Sequence, residues 1–87
     1  MEDKQKKYLD KVVEFLVKGT KIDYDEGRLY APFHVTPTST YYIFSLYRTP
    51  FLFSKYCKSV YGLTGDEVKY VWDEYRKIIK EKVENGK

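Results

Sequence analysis

Cysteine and histidine occur once each in this 87-residue chain, and both scarcities exclude chemistry. A lone Cys57 closes no internal disulfide, and no CxxC pair or Cys/His cluster supplies zinc-binding spacing, so a reducing compartment is expected. Long apolar runs are missing too. Nothing approaches the ~18 residues of a membrane span, and Met1 is followed by the charged segment 2–7 rather than an apolar signal region. The expected location is cytosolic, with no membrane partner. The five glycines stand apart from one another at turns and at the tail, so no glycine-rich loop is available to cradle a phosphate. Most informative, residues 27–65 contain neither Asp nor Glu. That stretch offers no carboxylate to pair with His34, whereas catalysis needs convergent nucleophile, base and oxyanion groups. No enzyme activity, metal or cofactor is expected.

What fills the acid-free stretch is four basic side chains, Arg28, Arg48, Lys55 and Lys58, and ten of the sixteen aromatics. The acids lie in the two flanking segments, so the mild net charge of +3 is a property of the middle rather than of the whole chain. A chain of this length has room for one domain, burying roughly 60 to 65% of its unfolded surface, enough to fold without staples. The middle must therefore supply core, binding surface, or both.

The spacing of Leu9, Val12, Val13 and Leu16 predicts a helix over residues 3–18, with Tyr8 and Phe15 widening its apolar stripe and Gly19 ending it in the left-handed conformation. Residues 21–30 read as a β-hairpin around Asp25-Glu26-Gly27, with Gly27 as the left-handed bulge residue. In that register Ile22 faces Tyr30 and Tyr24 faces Arg28. Pro32, Pro37 and three successive hydroxyl residues make 32–40 a loop. Residues 41–47 combine strand-like composition with a cap at Ser39 or Thr40, and a short helix or turn is expected. Thr49-Pro50 reads as a cap followed by proline at the first helical position, and Gly62 stops that helix after Tyr61. Thr64 and Glu67 form a capping box, flanked by the hydrophobic staple Leu63/Val68. Val68, Val71, Trp72, Tyr75, Ile78, Ile79 and Val83 then mark a last helix ending near Glu84, with residues 85–87 as a frayed tail. The sum is one α+β domain over residues 1–87: N-terminal helix, hairpin, irregular aromatic segment and two C-terminal helices.

Each functional pattern has a plainer competitor. Asp23, Asp25 and Gly27 match part of a calcium loop, but its later ligands and bidentate Glu are missing, which leaves a turn with solvated acids. His34 sits in no local Asp, Cys or Ser motif and reads as a loop histidine. Cys57, one turn from Phe53 and Val60, reads as core rather than reactive thiol. The run from Cys57 through Gly62 to Val71 has helix-turn-helix spacing. Yet Asp66 and Glu67 occupy the groove-reading position, with Asp73 and Glu74 two turns on, where they would meet phosphates; they serve better as helix-dipole complements and as partners for Lys69, Arg76 and Lys77. The mixture of Arg48, Lys55, Lys58 and tyrosines suits single-stranded nucleic acid. It equally matches a protein-binding hot spot, or the core of a small domain whose tyrosines keep their hydroxyls wet.

Residues 8–13, 16–22, Pro32-Phe33 and above all 56–64 (Tyr-Cys-Lys-Ser-Val-Tyr-Gly-Leu-Thr), followed by Tyr70-Val-Trp72 and Tyr75, give the chain a resemblance to small reading frames of T4-like marine cyanophages. That family brings no assigned activity, so no functional residue is carried over. The resemblance implies a setting: a phage-encoded accessory protein in the cytoplasm of a bacterial host. The expectation is a non-catalytic protein that binds a host protein through Arg28, Tyr30, Tyr41, Tyr42, Tyr47, Arg48, Lys55 and Lys58. The alternative is a nucleic-acid-binding accessory protein using the C-terminal helix pair, and a tyrosine-rich patch could also satisfy itself in a homodimer.

Overall fold

The chain's computed structural model describes residues 2–46 and 48–86. Four helices, α1 (Asp3–Lys18), α2 (Thr40–Ser45), α3 (Phe51–Tyr61) and α4 (Gly65–Asn85), accompany a three-stranded antiparallel sheet of β1 (Lys21–Asp23), β2 (Arg28–Tyr30) and β3 (Thr38–Ser39) in the order β1-β2-β3. The fold is α+β, as the composition and periodicity imply.

The long helix α4 organises the molecule because its apolar stripe is continuous: Val68, Val71, Trp72, Tyr75, Ile79 and Val83 are all buried. Its start is fixed as expected. Thr64 N–H donates to Glu67 Oε1 at 2.8 Å while Glu67 N–H donates to Thr64 Oγ1, and Leu63 and Val68 are both buried beside the cap. Against α4 lie Leu9, Val12, Val13 and Leu16 of α1 and Phe53 and Cys57 of α3, in one hydrophobic cluster. Each fully buried aliphatic or aromatic side chain contributes roughly 1.5 to 3 kcal/mol. Phe33, from the loop after β2, is the wedge. Its ring stands edge-on to Phe53 at 4.9 Å, Tyr75 at 5.5 Å and Trp72 at 6.3 Å, so an irregular segment is held by the preferred aromatic geometry.

Several local expectations need correction. Gly19 has φ −79°, not a left-handed value; a Cβ there would lie 2.7 Å from Pro32 Cγ, so close approach, not backbone sign, requires glycine. The last turn of α1 is closed instead by Thr20, whose Oγ1 donates to Leu16 O at 2.8 Å. The hairpin register is one residue from that expected: Ile22 faces Leu29 and Asp23 faces Arg28. Leu29 is fully buried, and a one-residue slip would turn it to solvent. Tyr24 therefore belongs to the turn, which Asp23 stabilises by accepting from the N–H groups of Asp25 and Glu26, while Gly27 takes φ 66° as expected.

The 32–40 loop contains the short strand β3, paired to β2. Pro50 is the extended N-cap of α3 rather than its first helical residue, with ψ 149°. Gly62, at φ 65°, does end α3 in the left-handed conformation. The last helix runs through Asn85, and Gly86 lies directly against the Tyr24 ring, so the C-terminal turn is packed against the hairpin. Finally, the α4 acids do not pair with Lys69, Arg76 or Lys77: among the described residues the ion pair is Glu14–Lys18 at 3.0 Å. Glu67 is taken by its cap and by Gln5 Nε2 at 2.8 Å, and among the described residues Asp66, Asp73 and Glu74 stand beyond ion-pair distance of those cations.

Candidate binding face of α2 and α3

At six residues α2 is shorter than the ~12 to 15 at which an isolated helix becomes marginal in water, so its position depends on tethers. At its start Thr40 N–H and Oγ1 both donate to Gly27 O, at 2.9 and 3.1 Å, tying it to the hairpin turn. At its end Arg76 Nη2 donates to Phe44 O at 2.7 Å, satisfying one of the carbonyls that a helix C-terminus leaves open. Between the tethers Ile43 is buried, and the same helical turn sends Tyr41 and Tyr42 outward, 79% and 51% exposed.

The first turn of α3 lies across from them. Phe53 must face the core, so Phe51 and Leu52 point away, 77% and 44% exposed. Between the two elements is a cleft of about 230 Å³ with a floor of Phe33, Ile43, Leu46 and Pro50 and a rim of His34, Tyr42, Phe51 and Leu52. His34 contributes a polar edge, with Nδ1 3.0 Å from Thr36 O. Along α3, Lys55 and Lys58 follow Phe51 at helical spacing, both exposed, and Arg48 is exposed in the connection that precedes the helix. None of the three has an ion-pair partner among the described residues. The face is thus apolar at its centre and positive at its margin.

No family model, curated protein or solved structure matches this chain. Its local geometry therefore carries the functional argument.

Of the residues singled out in the sequence, the structure joins Tyr42 to the cleft and places Tyr41 on α2, Lys55 and Lys58 on α3, and Arg48 in the connection between the two helices. Arg28 and Tyr30 do not line it. They are exposed on β2, on the face opposite buried Leu29. Tyr47 lies outside the described residues. The sequence reading missed Phe51 and Leu52, although the signal was present: a helix whose inward residues are Phe53 and Cys57 must turn two large apolar side chains of its first turn to solvent.

The remaining chemical candidates are engaged in structure. Cys57 is fully buried, and desolvation pushes its thiol up to about 12. Among the described residues no group of three or more His, Cys, Asp or Glu side chains is arranged to hold a metal ion. Among the described residues no helix is long and apolar enough to cross a membrane.

Proposed function

We propose that this protein is a non-catalytic binding protein whose α2–α3 face docks an acidic surface of a partner protein bearing an apolar or aromatic anchor. In the setting that the cyanophage resemblance implies, the partner is a host protein and the site of action is the host cytoplasm. The observation that carries the reading is the juxtaposition of a 230 Å³ apolar cleft, ringed by exposed Tyr42, Phe51 and Leu52, with the cations Lys55 and Lys58, which have no ion-pair partner among the described residues and share a helix with two of them. Buried anchors supply most of the energy of such contacts, and rim charges select the partner and speed its approach. The acid-free composition of residues 27–65 gives that rim one sign.

The helix pair α3–α4 gives less support to a groove-reading alternative. Asp66 is exposed at the first turn of α4, and Gln5 of α1 bonds Glu67 there, so α1 stands where phosphate would have to approach.

The test is capture of tagged protein from a cyanobacterial lysate with and without nuclease, using the wild type, Tyr42→Ser, Phe51→Ser and Lys55→Glu. One protein retained after nuclease by the wild type and lost by the variants, with their melting curves unchanged, is the expected result. Truncating a hot-spot aromatic costs roughly 2 kcal/mol or more, about a thirtyfold loss of affinity. Variants that unfold would assign these side chains to packing. Recovery abolished by nuclease, with affinity falling steeply with salt, would favour nucleic acid instead. Concentration-dependent sedimentation of the isolated chain would favour the homodimer.

A further inference from the structure

On the other flank of α2, helix α4 presents Arg76, Lys77 and Lys80 around a hollow of about 280 Å³ completed by Phe44 and Asp73. Positions 73, 76, 77 and 80 fall at i, i+3, i+4 and i+7, so the helix brings them to one face. Oppositely charged side chains at that spacing ordinarily pair. Here they do not: among the described residues no carboxylate stands within ion-pair distance of Arg76, Lys77 or Lys80.

Arg76 is the informative member. Its guanidinium is held by Phe44 O and lies over the Trp72 ring, 5.7 Å from the centroid. Its Nε is buried with no hydrogen-bond partner. A guanidinium partly withdrawn from water, oriented at two points and lacking a counter-charge is an unfavourable arrangement unless something negative completes it. With Nη2 given to Phe44 O and Nε closed to solvent, the Arg76 guanidinium contributes its fixed positive charge to the wall of the hollow, and two flexible ammonium groups one turn apart can close over an anion there. With Asp73 counted, the side chains around the hollow carry a net charge of +2.

We infer that this hollow binds a phosphoryl dianion, either free phosphate or the head of a small phosphate monoester, held by Arg76, Lys77 and Lys80. The site is separate from the α2–α3 cleft and does not depend on that reading.

The test follows backbone amide shifts of the ¹⁵N-labelled protein during titration with sodium phosphate, against sodium chloride at matched ionic strength. Saturable shifts at Phe44 and residues 73–80 with phosphate alone are expected. Lys77→Gln with Lys80→Gln should weaken binding about tenfold, and Asp73→Asn should tighten it about threefold, on the scale of exposed charge pairs. All three positions are exposed, and the rest of the spectrum reports whether each variant keeps its fold. A parallel titration with phenyl phosphate separates the sources. Tighter binding names a monoester whose ring reaches Phe44, and equal binding names phosphate itself. Shifts that rise without saturating, that chloride reproduces, or that ignore the three substitutions would overturn the assignment.

Discussion

Arg76→Met should loosen α2 more than it destabilises the molecule. The methionine keeps an aliphatic stem over Trp72 but removes the donor that holds Phe44 O at 2.7 Å. A hydrogen bond from a charged donor contributes roughly 1.5 to 3 kcal/mol, and the stacking on Trp72 about 0.5 to 1. Against this loss, the variant no longer buries an unpartnered Nε, which recovers roughly 1 to 3 kcal/mol. The net global change is then about 1 kcal/mol, small against the total stability of a domain this size. Locally the balance differs, because α2 is one of the least self-sufficient elements and loses one of its two polar tethers. Its last turn, including the Leu46 amide that donates to Ile43 O at 3.4 Å, should exchange with solvent about five- to tenfold faster. Native-state hydrogen exchange by NMR, beside urea unfolding of the same variant, separates the two effects. Unchanged exchange across Phe44 to Leu46, or acceleration no greater there than in α4, would show that Ile43 burial alone positions α2 and would refute the tether argument.

Three further substitutions test the α4 cap and the buried thiol. Thr64→Ala should cost about 0.5 to 2 kcal/mol in urea unfolding by removing the cap of α4. The Glu67 carboxyl is held below its ordinary value by the Thr64 backbone N–H, then by the Gln5 amide and the Thr64 hydroxyl. Its contribution is present above the usual carboxylate range and fades as pH falls through its lowered folded-state value, so Glu67→Gln should flatten the acid limb of melting temperature against pH; an unaltered limb would count against the cap's charge. Cys57, with its ordinary value of 9.0 raised to about 12 by burial, should resist thiol reagents in the native state and lower stability as pH climbs from the first value toward the second. Tyr75, also pushed up to about 12 by burial, enters this loss only above 10.0. Cys57→Ala should therefore remove the slope between about 9 and 10 in urea midpoint against pH, and a slope identical to wild type there would refute the assignment.

The parts of the fold legible in the sequence are those whose signals are local. Thr64 and Glu67 specify a cap within four residues, Gly62 a left-handed stop, and the α4 stripe a single buried face. The misread parts depend on remote partners. Gly19 answers to Pro32, thirteen positions on, and no local rule distinguishes that need from a left-handed cap. The hairpin register was decided by which of Leu29 and Tyr30 meets the core, since both suit a strand and the turn tolerates either pairing. Strand β3 has only two residues, and its identity comes from β2 beside it. For the candidate face, composition marked residues 27–65 as rich in rings and free of acids but did not sort their side chains. Phe33 and Phe53 went inward while Tyr41, Tyr42, Phe51 and Leu52 did not. The separation of Arg28 and Tyr30 from the cleft follows from strand geometry, which the sequence expresses only once the register is known.

The polar contacts also divide by sign. Among the described residues Asp10 accepts from Tyr70, Glu14 pairs with Lys18, Asp23 accepts from two backbone N–H groups, and Glu67 closes the cap. Of the basic side chains, only Lys18 and Arg76 have polar partners there. These four acids help to build the fold while most cations project their charge into solvent; the acids keep their own charge, so the outward field remains that of the formal +3. A positive margin around an apolar cleft divides the work of association. The cations on α3 act over the Debye length and set the on-rate, whereas Phe51, Leu52 and Tyr42 act only on contact and set the off-rate. Salt should then slow capture of an acidic partner without hastening its release. A polyanion held chiefly by phosphate contacts would instead lose equilibrium affinity in proportion to the counterions displaced, so the same salt series read as two rate constants separates the two kinds of partner.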